Sequence, residues 1–352
     1  MSSPLRRILP GLVALLVSLT LSLGLTELAV RWLAPQPQSW LSIYRRHPAL
    51  PFHAFQPDAR AEIETSETRW RVITDADGFR VGETRAEAGA CTSLWLGDSF
   101  AFGHGVDFDE SWVGLLQARA PAVRQVDSAV PGYGPVQYRA VFDWLLERGV
   151  RPDTAIVAIY VGNDFHDCVW DKDAPVNEGV LGHRRDLKSF LKTHLQLYRL
   201  ATSVYHRLAP TEDEYRHVLA ELADPEAWTR EPLSVALATF EREMKELQVL
   251  AREHGVELRF LVIPTRDAVA AVRAGATATE GSTPLLPVEK AGRVLADLGA
   301  DFLDATSPLA RAGGEELYFP FDGHLTPEGN RIVADALLER WPEACRSGPD
   351  SP

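Results

Sequence analysis

The chain has 352 residues, enough for one large or two modest domains, and 45% of them are hydrophobic, so an extended core can be buried. Its 49 acidic and 36 basic side chains leave a net charge of −13 with no basic stripe, which argues against a nucleic-acid partner. The cysteines Cys91, Cys168 and Cys345 and the ten histidines fall into no zinc-ligand spacing; no cofactor is expected.

From Ile8 to Leu25 an 18-residue stretch carries no charge. It comes after Arg6-Arg7 and closes at Glu27 and Arg31. At about 1.5 Å per residue it is near the minimum for crossing a hydrocarbon core of ~30 Å. The arginine pair favours an N-in orientation, which makes residues 1–33 a membrane anchor and puts the rest of the chain outside the inner membrane. A cleaved signal peptide and a buried helix are the alternatives; the first usually has an apolar region of about 7–15 residues and a small-x-small site, and none is convincing here.

Ala34-Pro35-Gln36-Pro37-Gln38 reads as a stiff linker, opening a mainly irregular segment, 34–90. Within it Ala61, Ile63 and Thr65, then Trp70, Val72 and Thr74, alternate with polar residues as an edge hairpin does. After residue 90 the pattern becomes strand, loop, helix. Strands are expected at Ser93–Leu96, Val123–Asp127, Ala155–Val161, Leu258–Ile263 and near Phe302–Leu303. Helices are expected from about Asp109 to Arg119, Pro135 to Arg148, Leu233 to Gly255, around 285–298, and after the cap Thr326. The rhythm is interrupted over 165–232, where one helix is expected from about Leu187 to Arg207. Alternating strands and helices predict a parallel sheet with helices on both faces, an α/β/α sandwich over 91–345. Right-handed crossovers bring the strand C-terminal ends to one rim.

Four segments lie on that rim: Gly97-Asp98-Ser99-Phe100, Pro131-Gly132-Tyr133-Gly134, Val161-Gly162-Asn163-Asp164 and Asp322-Gly323-His324. They offer a hydroxyl, bare backbone N–H groups, a side-chain amide, and a histidine with a carboxylate neighbour. Those are the parts of an acyl-transfer site. Taken singly each has a plainer reading, as a turn serine, a turn glycine, an asparagine closing a strand, or a surface Asp and His.

In combination and order these blocks resemble the SGNH (GDSL-type) hydrolases, over roughly residues 91–341. The resemblance implies a three-layer flavodoxin-like fold without a metal, with Ser99 as nucleophile, His324 as base and Asp322 orienting it. It further implies an oxyanion hole from the N–H groups of Ser99 and Gly132 and the Asn163 side chain. In that family the aspartate usually stands three residues before the histidine; here the step is two. The shorter step is similar to that of envelope relatives that move acetyl groups on exopolysaccharides. If Asp322 fails to reach the ring, Ser99 and His324 form a dyad. The stretch Ile73-Thr74-Asp75-Ala76-Asp77-Gly78-Phe79-Arg80 is also similar to anchored envelope members, with no chemical role assigned to it.

The expectation is therefore a membrane-tethered serine esterase or O-acyltransferase acting on a small acyl ester or an O-acylated glycan. The alternative is a catalytically silent glycan- or lipid-binding protein of the same fold. The helix near 187–207, with Lys188, Lys192, Arg199 and Arg207, reads as plain packing, as a lid, or as a face for anionic lipid or polysaccharide. Trp170 is a candidate for stacking on sugar. Topology puts Cys91 and the end of the last helix on the rim away from the site. Any disulfide is thus expected between Cys91 and Cys345, with Cys168 free.

Overall fold

A computed structural model of the chain describes residues 4–38, 40–65, 67–84, 91–169, 174–182, 186–208, 214–276 and 283–342. The apolar N-terminus forms one helix, α1 (Pro4–Leu33), in which Leu9–Leu33 is long and apolar enough to cross a membrane. Its leucines and valines from Leu9 to Leu28 are exposed, so none of the described residues covers them.

Five short strands come next. β1 (Tyr44–Arg46) and β2 (His53–Phe55) pair with each other. β3 (Arg60–Glu64), β4 (Arg69–Thr74) and β5 (Arg80–Val81) run antiparallel, with Ile63 opposite Trp70. Period-two alternation does what the sequence demands, burying Ile63, Trp70 and Val72 on one face. The expected hairpin is thus present. The segment is less irregular than expected, because strands of two or three residues carry too little alternation to be read.

The body then alternates as anticipated. β6 (Cys91–Leu96) leads into a one-turn helix, α2 (Ser99–Phe102), and then α3 (Trp112–Arg119). α3 begins later than the pattern suggested because the Ser111 hydroxyl caps it, accepting from the Gly114 N–H at 3.2 Å. β7 (Val123–Asp127), α4 (Pro135–Glu147), β8 (Thr154–Tyr160) and the one-turn α5 (Asp164–Asp167) come after it. All seven residues of β8 are buried, as a strand covered on both faces requires.

A small hairpin, β9 (Val176–Asn177) with β10 (Val180–Leu181), precedes α6 (Leu187–His194), α7 (Gln196–Leu208) and α8 (Glu214–Ala223). One helix was expected over 187–207; there are two, broken at Leu195, which is extended. The cause is a tertiary contact: the Glu27 carboxylate of α1 accepts from the N–H groups of Gln196 and Leu197 and starts a new helix there. The chain then runs through α9 (Leu233–Glu253), β11 (Glu257–Ile263), α10 (Arg266–Arg273), α11 (Leu286–Asp297), β12 (Asp301–Asp304), α12 (Thr306–Ala312) and α13 (Pro327–Arg340).

Eight strands make the main sheet in the order β12-β11-β8-β6-β7-β5-β4-β3. The first five are parallel, and β5 joins β7 antiparallel at Arg80 and Asp127. Helices α4, α9 and α11 cover one face and α3, α12 and α13 the other, so the fold is a three-layer α/β/α sandwich around a mostly parallel sheet. Cys168 is a free thiol and Cys91 is disulfide-bonded. Cys345 and Trp170 lie outside the described residues.

Candidate active site

β6 ends in the turn that carries Ser99. A Cβ on Gly97 would come within 2.5 Å of the Ala101 Cβ and 3.2 Å of the Ala158 carbonyl oxygen, so glycine is what lets this turn lie against β8. Asp98 caps α2: its fully buried carboxylate accepts from the Phe100 N–H at 2.8 Å. Ser99 is left half-buried at the rim.

The two neighbouring loops are tied to that turn. After β7 the Val130 N–H donates to the Gly97 carbonyl at 3.2 Å, and the Ser128 hydroxyl donates to the Trp95 carbonyl at 2.6 Å. Gly132 lies just beyond in the left-handed region, φ +84°, which side chains avoid. Among the described residues neither its N–H nor that of Ser99 meets an acceptor. After β8 the Asn163 Nδ2 donates to Asp98 Oδ2 at 3.2 Å, while Asn163 Oδ1 is buried without a partner among the described residues. Asp164 locks this loop from beneath, accepting from the Tyr138 hydroxyl at 2.7 Å and the Tyr160 N–H at 3.1 Å. Burial pushes the Asp98 carboxyl up, against the pull of the Phe100 N–H, the His324 ring and the Asn163 amide.

From the far end of the chain, Asp322 and His324 reach the same place. His324 Nε2 stands 2.7 Å from Ser99 Oγ, and Nδ1 stands 2.6 Å from Asp322 Oδ1. A carboxylate only accepts, so Nδ1 carries the proton and Nε2 is left to take the hydroxyl hydrogen. The two-residue step between Asp322 and His324 works because Gly323 is left-handed, φ +82°. That turn folds the chain back, and the His324 N–H also faces Asp322 Oδ1, at 3.3 Å. Burial alone would raise the Asp322 carboxyl; the hydrogen bond and charge of His324, with a contribution from His104, outweigh it and hold the group at about 2.

All five residues anticipated for the site, Ser99, Gly132, Asn163, Asp322 and His324, therefore lie on loops tied to one rim. Four others went unread. The Glu67 carboxylate, in the β3–β4 turn, accepts from the N–H groups of Phe321 and Asp322 at 3.0 and 2.8 Å. His104 lies with its ring centroid 4.6 Å from that of His324, its Nε2 3.6 Å from Asp322 Oδ2, and Trp70 against its other side. Burial, then repulsion from His324, lowers His104 to about 3, so it is neutral. Arg80 is buried and donates to the carbonyls of Phe102, Gly103, Val106 and Arg71, fixing the loop that carries His104. Asp98, though inside the first block, had no assigned task. Glu67 and His104 stand in none of the sequence motifs, and the stretches that hold Arg80 and Asp98 gave them no task; each acts on backbone or on another side chain.

His104, Asp322 and His324 also bring donor atoms within 4.8 Å of one another, but Asp322 and His324 spend theirs on the chain of hydrogen bonds ending at Ser99.

Residues 225–349 match the family model described as "SGNH hydrolase-like domain, acetyltransferase AlgX". Over these residues the chain is similar to an SGNH hydrolase-like domain. The matched stretch takes in Asp322 and His324 and starts beyond Ser99, Gly132 and Asn163. No curated protein matches the chain. Among solved structures, TesA is 15% identical with a TM-score of 0.42, over 71% of this chain and 97% of that one. A G-D-S-L lipolytic family member from Veillonella parvula is 13% identical with a TM-score of 0.43, over 72% and 100%. An acetylxylan esterase from Geobacillus stearothermophilus, solved as a catalytic mutant, is 12% identical with a TM-score of 0.40, over 75% and 100%.

Proposed function

We propose that the chain is a serine esterase or O-acyltransferase of the SGNH type, held outside the inner membrane by α1, that releases or moves a small acyl group such as O-acetyl on a glycan. The observation that carries this reading is the unbroken chain Asp322–His324–Ser99, with contacts of 2.6 and 2.7 Å. In the proposed reaction Ser99 Oγ attacks the acyl carbonyl carbon while His324 Nε2 takes its proton. The oxyanion of the tetrahedral intermediate faces the N–H groups of Ser99 and Gly132 and the second hydrogen of the Asn163 amide. Collapse breaks the ester C–O bond, and His324 returns the proton to the leaving alcohol oxygen. Water or a sugar hydroxyl, deprotonated by the same nitrogen, then attacks the acyl-enzyme; the bond from Ser99 Oγ to the acyl carbon breaks, and His324 Nε2 returns the proton to Oγ.

Asp98 serves this scheme without touching the substrate, because one carboxylate fixes both the Ser99 turn and the Asn163 amide. Three features support the placement and the acyl group. The Arg6-Arg7 pair precedes the apolar stretch of α1, and Cys91 is disulfide-bonded, which suits an oxidising compartment. The matched family model names an acetyltransferase.

An ester panel from acetyl upward, with and without an added glycan acceptor, tests the reading against Ser99→Ala. Acyl release that depends on Ser99 and prefers acetyl supports it, and acyl transfer to the glycan would identify the transferase. Equal rates for the two proteins would remove the catalytic assignment.

A further inference from the structure

Helices α6 and α7 are amphipathic, yet the folded body leaves much of their apolar surface uncovered. No residue of α6 is fully buried; Leu187 is 70% and Phe190 54% exposed. Three positions apart, these two sit side by side on one helical face. Val204 and Tyr205 of α7 are exposed as well. In a chain of net charge −13, residues 187–208 hold Lys188, Lys192, Arg199 and Arg207 and no aspartate or glutamate.

The place where this pair of helices joins the rest of the molecule decides what lies beside it. The α6–α7 junction is fastened to the outer end of α1. Glu27 accepts from the N–H groups of Gln196 and Leu197 at 3.0 and 2.8 Å, and Arg31 Nη2 donates to the His194 carbonyl at 2.5 Å. The Gln36 N–H donates to Gln196 Oε1 at 2.5 Å. Phe190 packs edge-on against the His194 ring, with centroids 4.5 Å apart. On α1, the last two residues, Trp32 and Leu33, are almost fully exposed, and tryptophan at a helix end suits the membrane–water boundary.

We infer that α6 is an interfacial helix whose Leu187–Phe190 edge enters the headgroup boundary of an anionic bilayer, beside the point where α1 leaves it. The inference rests on the reading of α1 as a membrane anchor. Apolar side chains of such a helix sit about 5–10 Å into the boundary while its cations meet anionic headgroups. Here Lys188 is exposed, and Lys192 and Arg199 lie over the Trp40 ring at 4.8 and 4.9 Å, which gathers positive charge beside the anchor's exit.

The test uses the full chain in nanodiscs containing phosphatidylglycerol, with an environment-sensitive fluorophore on Phe190→Cys or, as reference, on Val235→Cys of α9. Unsubstituted protein, labelled in parallel, corrects for Cys168. The label at 190 should be blue-shifted, shielded from aqueous iodide and quenched by lipids carrying a shallow spin label; the label at 235 should show none of these. Equal iodide quenching at both sites, in protein that still co-elutes with the disc, overturns the interfacial helix and leaves the anchor standing. Shielding at 190 without quenching by spin-labelled lipid also overturns it, because the cover is then protein. Loss of co-elution with lipid overturns the anchor, and the inference with it.

Discussion

β6, β7 and β8 share a sheet with β3, β4 and β5, yet the two groups reach the site in different ways. The parallel strands end at it: their C-terminal loops present Ser99, Gly132 and Asn163 directly. The antiparallel run touches it only from the side. Glu67 holds the backbone at Phe321 and Asp322, Trp70 backs His104, the Thr68 hydroxyl donates to the Gly105 carbonyl at 2.7 Å, and Arg80 collects carbonyls of the same loop. One half of the sheet supplies groups that could react, and the other supplies groups that keep them in place. Geometry of this kind matters because displacement of about 1 Å can cost on the order of 10²-fold in rate.

That division can be broken by measurement. The largest effect is expected at the end of β6: Ser99→Ala should lower kcat by at least about 10⁴-fold for any ester the protein cleaves. Next comes Asn163→Ala, at about 10²–10³-fold in kcat with KM little changed, as for loss of an oxyanion donor. Glu67→Gln, from the supporting half, should cost only about 10-fold, because one of the two backbone N–H groups loses its acceptor and the Asp322 loop shifts. A Glu67→Gln loss as large as that of Asn163→Ala would place the antiparallel half among the reacting parts. Steady-state kinetics on one ester, with circular dichroism to confirm folding, makes the comparison.

The smallest effect concerns stability in acid. Asp322 is held at about 2, below an unfolded value of ~3.9. Its contribution is therefore complete above pH ~4 and lost as pH falls towards 2. Urea unfolding of wild type and Asp322→Asn should show a stability difference that narrows across that window and stays constant above it.

The parts proposed to react were legible as candidates because each sits in a run of consecutive residues whose local chemistry is unusual, a serine after Gly-Asp or a histidine after Asp-Gly. Strands with long apolar runs, such as β8, and helices with capped starts, such as α13, were legible for similar reasons: period and cap are written within a few residues. The supporting parts were not. Nothing around Glu67 distinguishes it from a solvated turn glutamate until the Phe321–Asp322 backbone arrives from 254 positions away. The break at Leu195 was hidden in the same manner, since its cause is a carboxylate in α1. Arg80 closes a stretch to which the sequence assigned no chemical role, and the converging carbonyls of Phe102, Gly103, Val106 and Arg71 explain its burial.

The clasp of Glu27 and Arg31 on the α6–α7 junction has a mechanical consequence. Ala34 to Gln38, left loose, would let the body swing like a weight on a string, sampling a hemisphere of positions. Fastened by Glu27 and Arg31 at the junction and by the Gln36 N–H on Gln196, the body is held in one orientation on α1.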